Sequence, residues 1–223
     1  MLKKLTAEAL GTGFLMAVVV GSTLMGSRLS QDAALGLLAT SLTVGLALYA
    51  SITLMGPVSG GHLNPVVTLT ALLRREVSAR TALSYIAAQT LGALVGVTLA
   101  HLMFDHPAWT PSPLPRALPA LWLSEFIATA GLIFVFLGGL AQRGPVPVLV
   151  GAYITAGYWF TASTSFANPA MTIARTLTDT AAGLRPIDLP AYLIAQTAGA
   201  LAGYALGTWL FAKEKPPILA DGG

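Results

Sequence analysis

The residues best suited to do chemistry in this chain are two Asn-Pro pairs, Asn64-Pro65 and Asn168-Pro169. Asn is a strong helix N-cap and Pro is favoured at the first helical position, so each pair predicts a helix start. A capping Asn gives its oxygen to backbone N–H groups and leaves its amide N–H groups free to meet a passing solute. Two helix N-termini aimed at one point concentrate positive partial charge there. Such a point disfavours cations and migrating protons, whereas water or a neutral hydroxylated solute accepts from both amides. An irregular stretch leads into each pair: Gly60, Gly61, His62 and Leu63 before the first, and Thr164, Ser165, Phe166 and Ala167 before the second. Their carbonyls have no helix to bond with, which predicts a ladder of acceptors along a narrow path.

Two carboxylates, Glu8 and Glu125, lie about one turn inside apolar stretches. Carboxylates at membrane depth either relay protons or hold polar neighbours. Their matched placement favours bracing of the loops before the Asn-Pro pairs. His62 has no second ligand nearby and reads as a bracing or pore-lining group rather than a metal ligand. The chain has no cysteine and three histidines, which excludes disulfides and thiol chemistry and leaves little for a metal centre. No Ser-His-Asp set, HExxH motif or carboxylate pair at one depth is present, so neither an enzyme nor a cofactor is expected.

The elements that must carry these residues follow from composition. Of 223 residues, 55 % are hydrophobic and 9 % charged, and mean hydropathy is +0.73. A soluble domain carries roughly 25 % charge, so this chain cannot cover a water-facing surface. The net charge of +3 rests on 12 Lys+Arg against 9 Asp+Glu, with no basic run to track phosphates, so no nucleic-acid partner is expected. The class that remains is an all-α protein of the lipid bilayer. Stretches of about 20 apolar residues occur at 5–26, 33–56, 79–104, 118–140, 146–162 and 189–212, predicting six transmembrane helices. Two apolar pieces, 66–73 and 170–177, are too short to span and read as re-entrant half-helices, tolerated only where they line a cavity or are buried in protein. The chain reads as one channel domain over 1–223: a first half over 1–110, an outer connecting loop over 104–119, a second half over 118–212 and a cytoplasmic tail over 213–223. Six spans put both termini on one side. That side carries eight of the 12 Lys+Arg residues, which predicts cytoplasmic termini.

The two halves repeat one another. The order Glu, Asn-Pro, Gln-Thr-x-Gly-Ala-Leu occurs at Glu8, Asn64-Pro65 and 89–94, and again at Glu125, Asn168-Pro169 and 196–201. Three spans per half is an odd number, so the second half enters from the opposite face: an inverted repeat. The two half-helices then meet tip to tip near the bilayer centre. Gly92, Gly96, Gly199, Gly203 and Gly207 fall at four-residue spacing within their halves and predict close helix crossings.

The segments Ser59-Gly60-Gly61-His62-Leu63-Asn64-Pro65-Val66-Val67-Thr68 and Asn168-Pro169-Ala170 resemble the paired signature loops of the aquaporins and aquaglyceroporins, the major intrinsic proteins. The resemblance runs over essentially the whole chain. It implies an aquaporin-like fold, a homotetramer with one pore per subunit, no cofactor, and passive flux of water or small neutral solutes. In the family the residue after the second Asn-Pro-Ala is usually Arg, one wall of the narrow outer filter; here it is Met171. The first motif ends in Val66 where Ala is usual. Counting from the motifs, the other filter walls fall at Val44, at Ala156 (Gly157 if the register slips by one) and at Ser165. Arg175 lies one turn beyond Met171. It either reaches the outer mouth or, as the i,i+4 spacing favours, pairs with Asp179.

The set Val44, Ala156, Ser165 and Met171 lacks an aromatic wall and a guanidinium, which predicts a wide, apolar filter. The stretch from Tyr158 to Arg175 is similar to a bacterial subgroup associated with arsenic resistance. That similarity implies passage of arsenite-like hydroxides and glycerol-like polyols with water, through the inner membrane of a bacterium. A strict water channel and a proton-coupled secondary transporter are the competing readings; the second would need Glu8 or Glu125 to titrate.

Overall fold

The computed structural model describes residues 1–212, all helix and connecting loop; the expected tail over 213–223, with Lys213 and Lys215, lies outside the described residues. Among the described residues eight α-helices run in the order α1 (Leu2–Leu29), α2 (Ala33–Ser59), α3 (Pro65–Leu73), α4 (Ala79–Met103), α5 (Pro119–Ala141), α6 (Val146–Phe160), α7 (Pro169–Ala174) and α8 (Leu189–Leu210). Six of them are the spans, and α3 and α7 are the half-helices. α1, α2, α4 and α5 are each long and apolar enough to cross a membrane. α6 is shorter, at 15 residues. The fold is that of an aquaporin-like membrane protein.

Local chemistry sets the helix boundaries. Asp32 caps α2 through the Ala34 and Leu35 N–H groups at 2.8 and 3.2 Å. Ser78 caps α4 through the Thr81 N–H at 3.2 Å. Pro119 occupies the first turn of α5, so the connecting loop ends at 118. Gly60, at φ 96°, closes α2 in the left-handed region that favours glycine. α2 therefore runs three residues past its expected end, through Pro57 in its last turns. α6 stops at Phe160, two residues short of expectation. There Thr161 turns extended at φ −112°, and its hydroxyl donates back to the Gly157 carbonyl at 2.7 Å.

The core is built from two matched crossings, α1 on α4 and α5 on α8. A Cβ at Gly92 would run into the Ala9 carbonyl, and one at Gly96 into that of Gly13. In the other half, Gly199 faces the Phe126 carbonyl and Gly203 that of Ala130. Ala9 follows Glu8 as Phe126 follows Glu125, so both crossings occur at one register of the repeat. The rigid backbone on the far side cannot yield. Gly199→Leu is therefore expected to destabilise the fold by about 3 kcal/mol, read as a lower melting temperature of the detergent-solubilised protein. Unchanged melting would contradict this packing.

We call the face carrying Met1 and the α3–α4 and α5–α6 connections proximal. The opposite face, with the loops at 104–118 and 175–188, is distal.

Candidate functional site

Two loops dip into the helical frame, 60–64 from the proximal side and 161–168 from the distal side. Their backbones leave ordinary regions. Leu63 and Ala167, each directly before a capping Asn, have φ of 51° and 44°, and Thr164 and Ser165 have φ of 64° and 52°. Non-glycine residues there cost about 1–3 kcal/mol each and persist only where surrounding bonds impose them.

At Leu63 and Ala167 those bonds come from the two carboxylates, whereas Thr164 and Ser165 are held locally by the Thr161 carbonyl and the Ser163 hydroxyl. Glu8 is fully buried and accepts from the His62 N–H (3.0 Å), the Leu63 N–H (2.7 Å), the Ser59 hydroxyl (2.6 Å) and the Gln89 amide (2.7 Å). Glu125, equally buried, accepts from the Phe166 and Ala167 N–H groups at 2.9 and 3.0 Å and from the Gln196 amide at 2.6 Å. Gln89 also donates to Thr68 on α3, and Gln196 to Thr172 on α7, at 2.9 and 2.8 Å. Each Glu–Gln–Thr set thus ties a spanning helix to a loop and to its half-helix. His62 joins the first set through Nδ1 and the Thr68 hydroxyl, 3.1 Å apart. Glu8 thus accepts four hydrogen bonds and Glu125 three, and both carboxylates are fully buried.

The half-helices start as their sequences dictate. Asn64 Oδ1 accepts from the Val66 N–H at 3.0 Å; Asn168 Oδ1 accepts from those of Ala170 and Met171 at 3.1 and 3.3 Å. The amides are not both fully free, as the sequence alone suggests. Asn64 Nδ2 donates to the Ala167 carbonyl at 2.8 Å, and Asn168 Nδ2 to the Leu63 carbonyl at 2.9 Å. Each cap spends one N–H on the opposite loop, which locks the two halves together and leaves one N–H per cap for a solute.

A cavity of about 660 Å3 runs from Arg74 and Glu76 at the proximal face past both Asn caps to Arg175. Gly60, Gly61, His62 and Leu63 line one side of it. Leu15, Val44, Leu132, Val150 and Ile154 make an apolar wall, and Ser165, Phe166, Ala167 and Met171 complete it. A second cavity of about 510 Å3 opens at the distal face, bordered by Asp32, His106, Thr164, Asp179 and Thr180. Val19, Tyr158 and Arg175 are common to both.

Of the expected filter positions, Val44, Ser165 and Met171 line the longer cavity. Ala156 does not; it is exposed on the outside of α6. Gly157 is buried, but its missing Cβ points at the Ser165 side chain. α6 presents Val146, Pro147, Val150, Ile154 and Tyr158 to the cavity, and of these Ile154 and Tyr158 flank the expected position. Counting back twelve from Asn168 fails because α6 ends early and the chain turns extended at Thr161.

The Arg175–Asp179 pair is also corrected. α7 ends at Ala174 and a single 3-10 turn follows, Arg175–Leu177, with Thr178 extended, so i,i+4 geometry does not extend that far. Asp179 is held instead by His106 Nε2 at 2.7 Å. Arg175 is 3 % exposed. Its guanidinium lies 3.7 Å from the Phe166 ring centroid, and Nη1 reaches the Ala182 carbonyl at a long 3.4 Å. The same ring is also approached from the distal loops. Arg116 lies 5.1 Å from the same ring and donates to the Gly183 and Ala181 carbonyls at 2.8 and 2.9 Å. Burial first, and then the neighbouring Arg175 charge, hold Arg116 below the ordinary arginine value. Asp188 anchors the base of the loop. Burial pushes its pKa up, but the Arg185 guanidinium and the Arg116 N–H outweigh that and hold it below the ordinary carboxylate range.

Residues 1–143 match the family model of the major intrinsic proteins. The chain is also 48 % identical over 217 residues to Aquaglyceroporin AqpS of Rhizobium meliloti (strain 1021), an alignment spanning 97 % of this chain and 93 % of that protein. This chain belongs to the major intrinsic protein family. It is 26 % identical to Aquaporin Z of Brucella melitensis over 96 % of this chain and all of that one. Among solved structures, the aquaglyceroporin from Plasmodium falciparum superposes with a TM-score of 0.75. It covers 95 % of this chain and 96 % of its own at 21 % identity, a likeness of fold.

Proposed function

We propose that this chain is a passive channel for small uncharged solutes with a wide, largely apolar filter. Val44, Ser165 and Met171 form its walls, with Tyr158 standing where the sequence suggested Ala156. The observation that carries the reading is the cavity of about 660 Å3 that passes both Asn caps with Met171 in its wall directly after the second Asn-Pro-Ala and Arg175 only at its distal end. Neutral hydroxylated solutes slide along the apolar side and exchange their hydrogen bonds with loop carbonyls and the Asn64 and Asn168 amides. As(OH)3, uncharged at neutral pH, and glycerol-like polyols have this chemistry, and water accompanies them. Kinship to a relative named as an aquaglyceroporin supports the polyol part; the metalloid part rests on the resemblance of the 158–175 stretch.

Glu8 and Glu125 brace the loops and carry no protons across. The working unit is a homotetramer in the bacterial inner membrane, with the proximal face and both termini cytoplasmic. Six described Lys+Arg residues on that face, Lys3, Lys4, Arg74, Arg75, Arg80 and Arg143, support the orientation.

The test is equilibration of glycerol and arsenious acid in proteoliposomes with and without an imposed proton gradient. A channel brings each solute to equal concentrations at a rate the gradient does not change. Accumulation above the outside concentration, driven by the gradient, would overturn the channel reading in favour of coupled transport.

A further inference from the structure

We propose that Arg175 is the specificity-determining cation of this channel, a guanidinium relocated one turn outward from residue 171 to form the barrier between the distal cavity and the pore. The inference rests on the channel reading above and adds a residue to it.

Its position is the first argument. Among the described residues only Val19, Tyr158 and Arg175 border both cavities, which places these three side chains at the boundary between them. Val19 is apolar and Tyr158 is neutral; the charge at the neck is Arg175. Its lack of a partner is the second. Asp179, the nearest carboxylate in sequence, is engaged by His106. Glu125 is taken up by two loop N–H groups and Gln196. Among the described residues no carboxylate pairs with Arg175, and its Nε is buried without an acceptor. A structural arginine at this depth would have a carboxylate or several carbonyls, because an uncompensated buried charge is costly. A charge retained without them marks a functional position.

The seat is the third argument. Phe166 offers its ring face to the guanidinium, a cation–π contact that uses no hydrogen-bond donor; Nη1 makes one long bond to the Ala182 carbonyl and Nε has no acceptor. Arg116, pinned to the Gly183 and Ala181 carbonyls, holds the same ring and adds a second positive charge beside the neck. The local field therefore repels cations. A neutral solute accepts from the guanidinium as it passes, and the side chain narrows the neck against solutes bulkier than glycerol. Charge exclusion thus sits at the neck, while the wall at Met171 stays apolar.

Arg175→Met and Arg175→Lys in proteoliposomes test this, with xylitol as a bulky neutral probe and methylammonium as a cation probe. Arg175→Met is expected to raise the xylitol-to-water permeability ratio about tenfold and to open a methylammonium leak of similar factor over wild type. Arg175→Lys keeps the charge and is expected to block methylammonium. A xylitol ratio and methylammonium leak within about twofold of wild type in Arg175→Met would overturn the proposal. So would an equal leak in Arg175→Lys. Arg175→Gln, which keeps a donor toward Ala182, gives the same readings if Met at 175 does not fold. Wild-type vesicles that pass neither water nor glycerol faster than protein-free vesicles would sink the channel reading itself, a failure distinct from either of these.

Discussion

Glu8→Leu is expected to yield no stable pore. Four groups donate to this one buried carboxylate, two of them backbone N–H groups of the loop that ends at Asn64. Leucine fills the space and accepts nothing. Each orphaned buried donor costs about 1–3 kcal/mol, and the left-handed backbone at Leu63 loses the bond that holds it. The sum, about 4 kcal/mol or more, is a large part of the stability of a marginally stable fold. Protein recovered in detergent is expected to melt roughly 10 °C lower and to conduct no solute. Glu8→Gln keeps one acceptor oxygen and is expected to fall between. The pair of variants separates bracing from proton relay. If Glu8→Leu melts like wild type and loses only a proton-dependent flux, the carboxylate is a relay and the bracing account fails.

The second large effect is expected at Met171. Its side chain lines the cavity, and its N–H is the far bond of the Asn168 cap. Met171→Arg introduces a second guanidinium one residue past Ala170 while Arg175 still occupies the neck. The pore narrows and gains fixed donors, the two properties by which water filters exclude larger solutes. Glycerol and arsenious acid permeability are expected to fall at least about tenfold while water permeability falls by much less, which corresponds to roughly 1.4 kcal/mol of added barrier for the larger solutes. Stopped-flow swelling in matched solute gradients reads both. Glycerol and arsenious acid fluxes equal to wild type would remove Met171 from the filter.

Much of this architecture is written in residues whose chemistry is local. Asn-Pro favours a helix start, and two copies at matched places of the repeat, each before an apolar piece too short to span, make both half-helices and their tip-to-tip meeting legible in the chain. The Glu8 and Glu125 repeats, read with the three-span count, give the inverted order. The glycines at 92, 96, 199 and 203 announce close crossings, because small residues at four-residue spacing have no better use in a membrane. What the chain conceals depends on where helices stop. The bond from Thr161 back to Gly157 ends α6 at Phe160. That moves the lumen-facing positions from the counted Ala156 to Ile154 and Tyr158. The end of α7 at Ala174 likewise breaks the spacing that would join Arg175 to Asp179. Its actual partners come from distant chain: Phe166 from the preceding loop, and Arg116, across that ring, from the connection between the halves. No spacing rule links residues 116, 166 and 175. The cross-bonds from Asn64 to Ala167 and from Asn168 to Leu63 are hidden for the same reason, since they join loops more than 100 residues apart.

The central claim is that the pore is wide enough for a three-carbon polyol and open to it without coupling. Stopped-flow light scattering of wild-type proteoliposomes tests it most directly, comparing an impermeant-osmolyte gradient with a glycerol gradient in the same vesicles. The account predicts rapid shrinkage in the first. In the second it predicts shrinkage followed by glycerol-driven reswelling about tenfold faster than in protein-free vesicles. Rapid water flux with reswelling no faster than in protein-free vesicles would contradict it, and would mean that Arg175 and Tyr158 close the neck to everything larger than water.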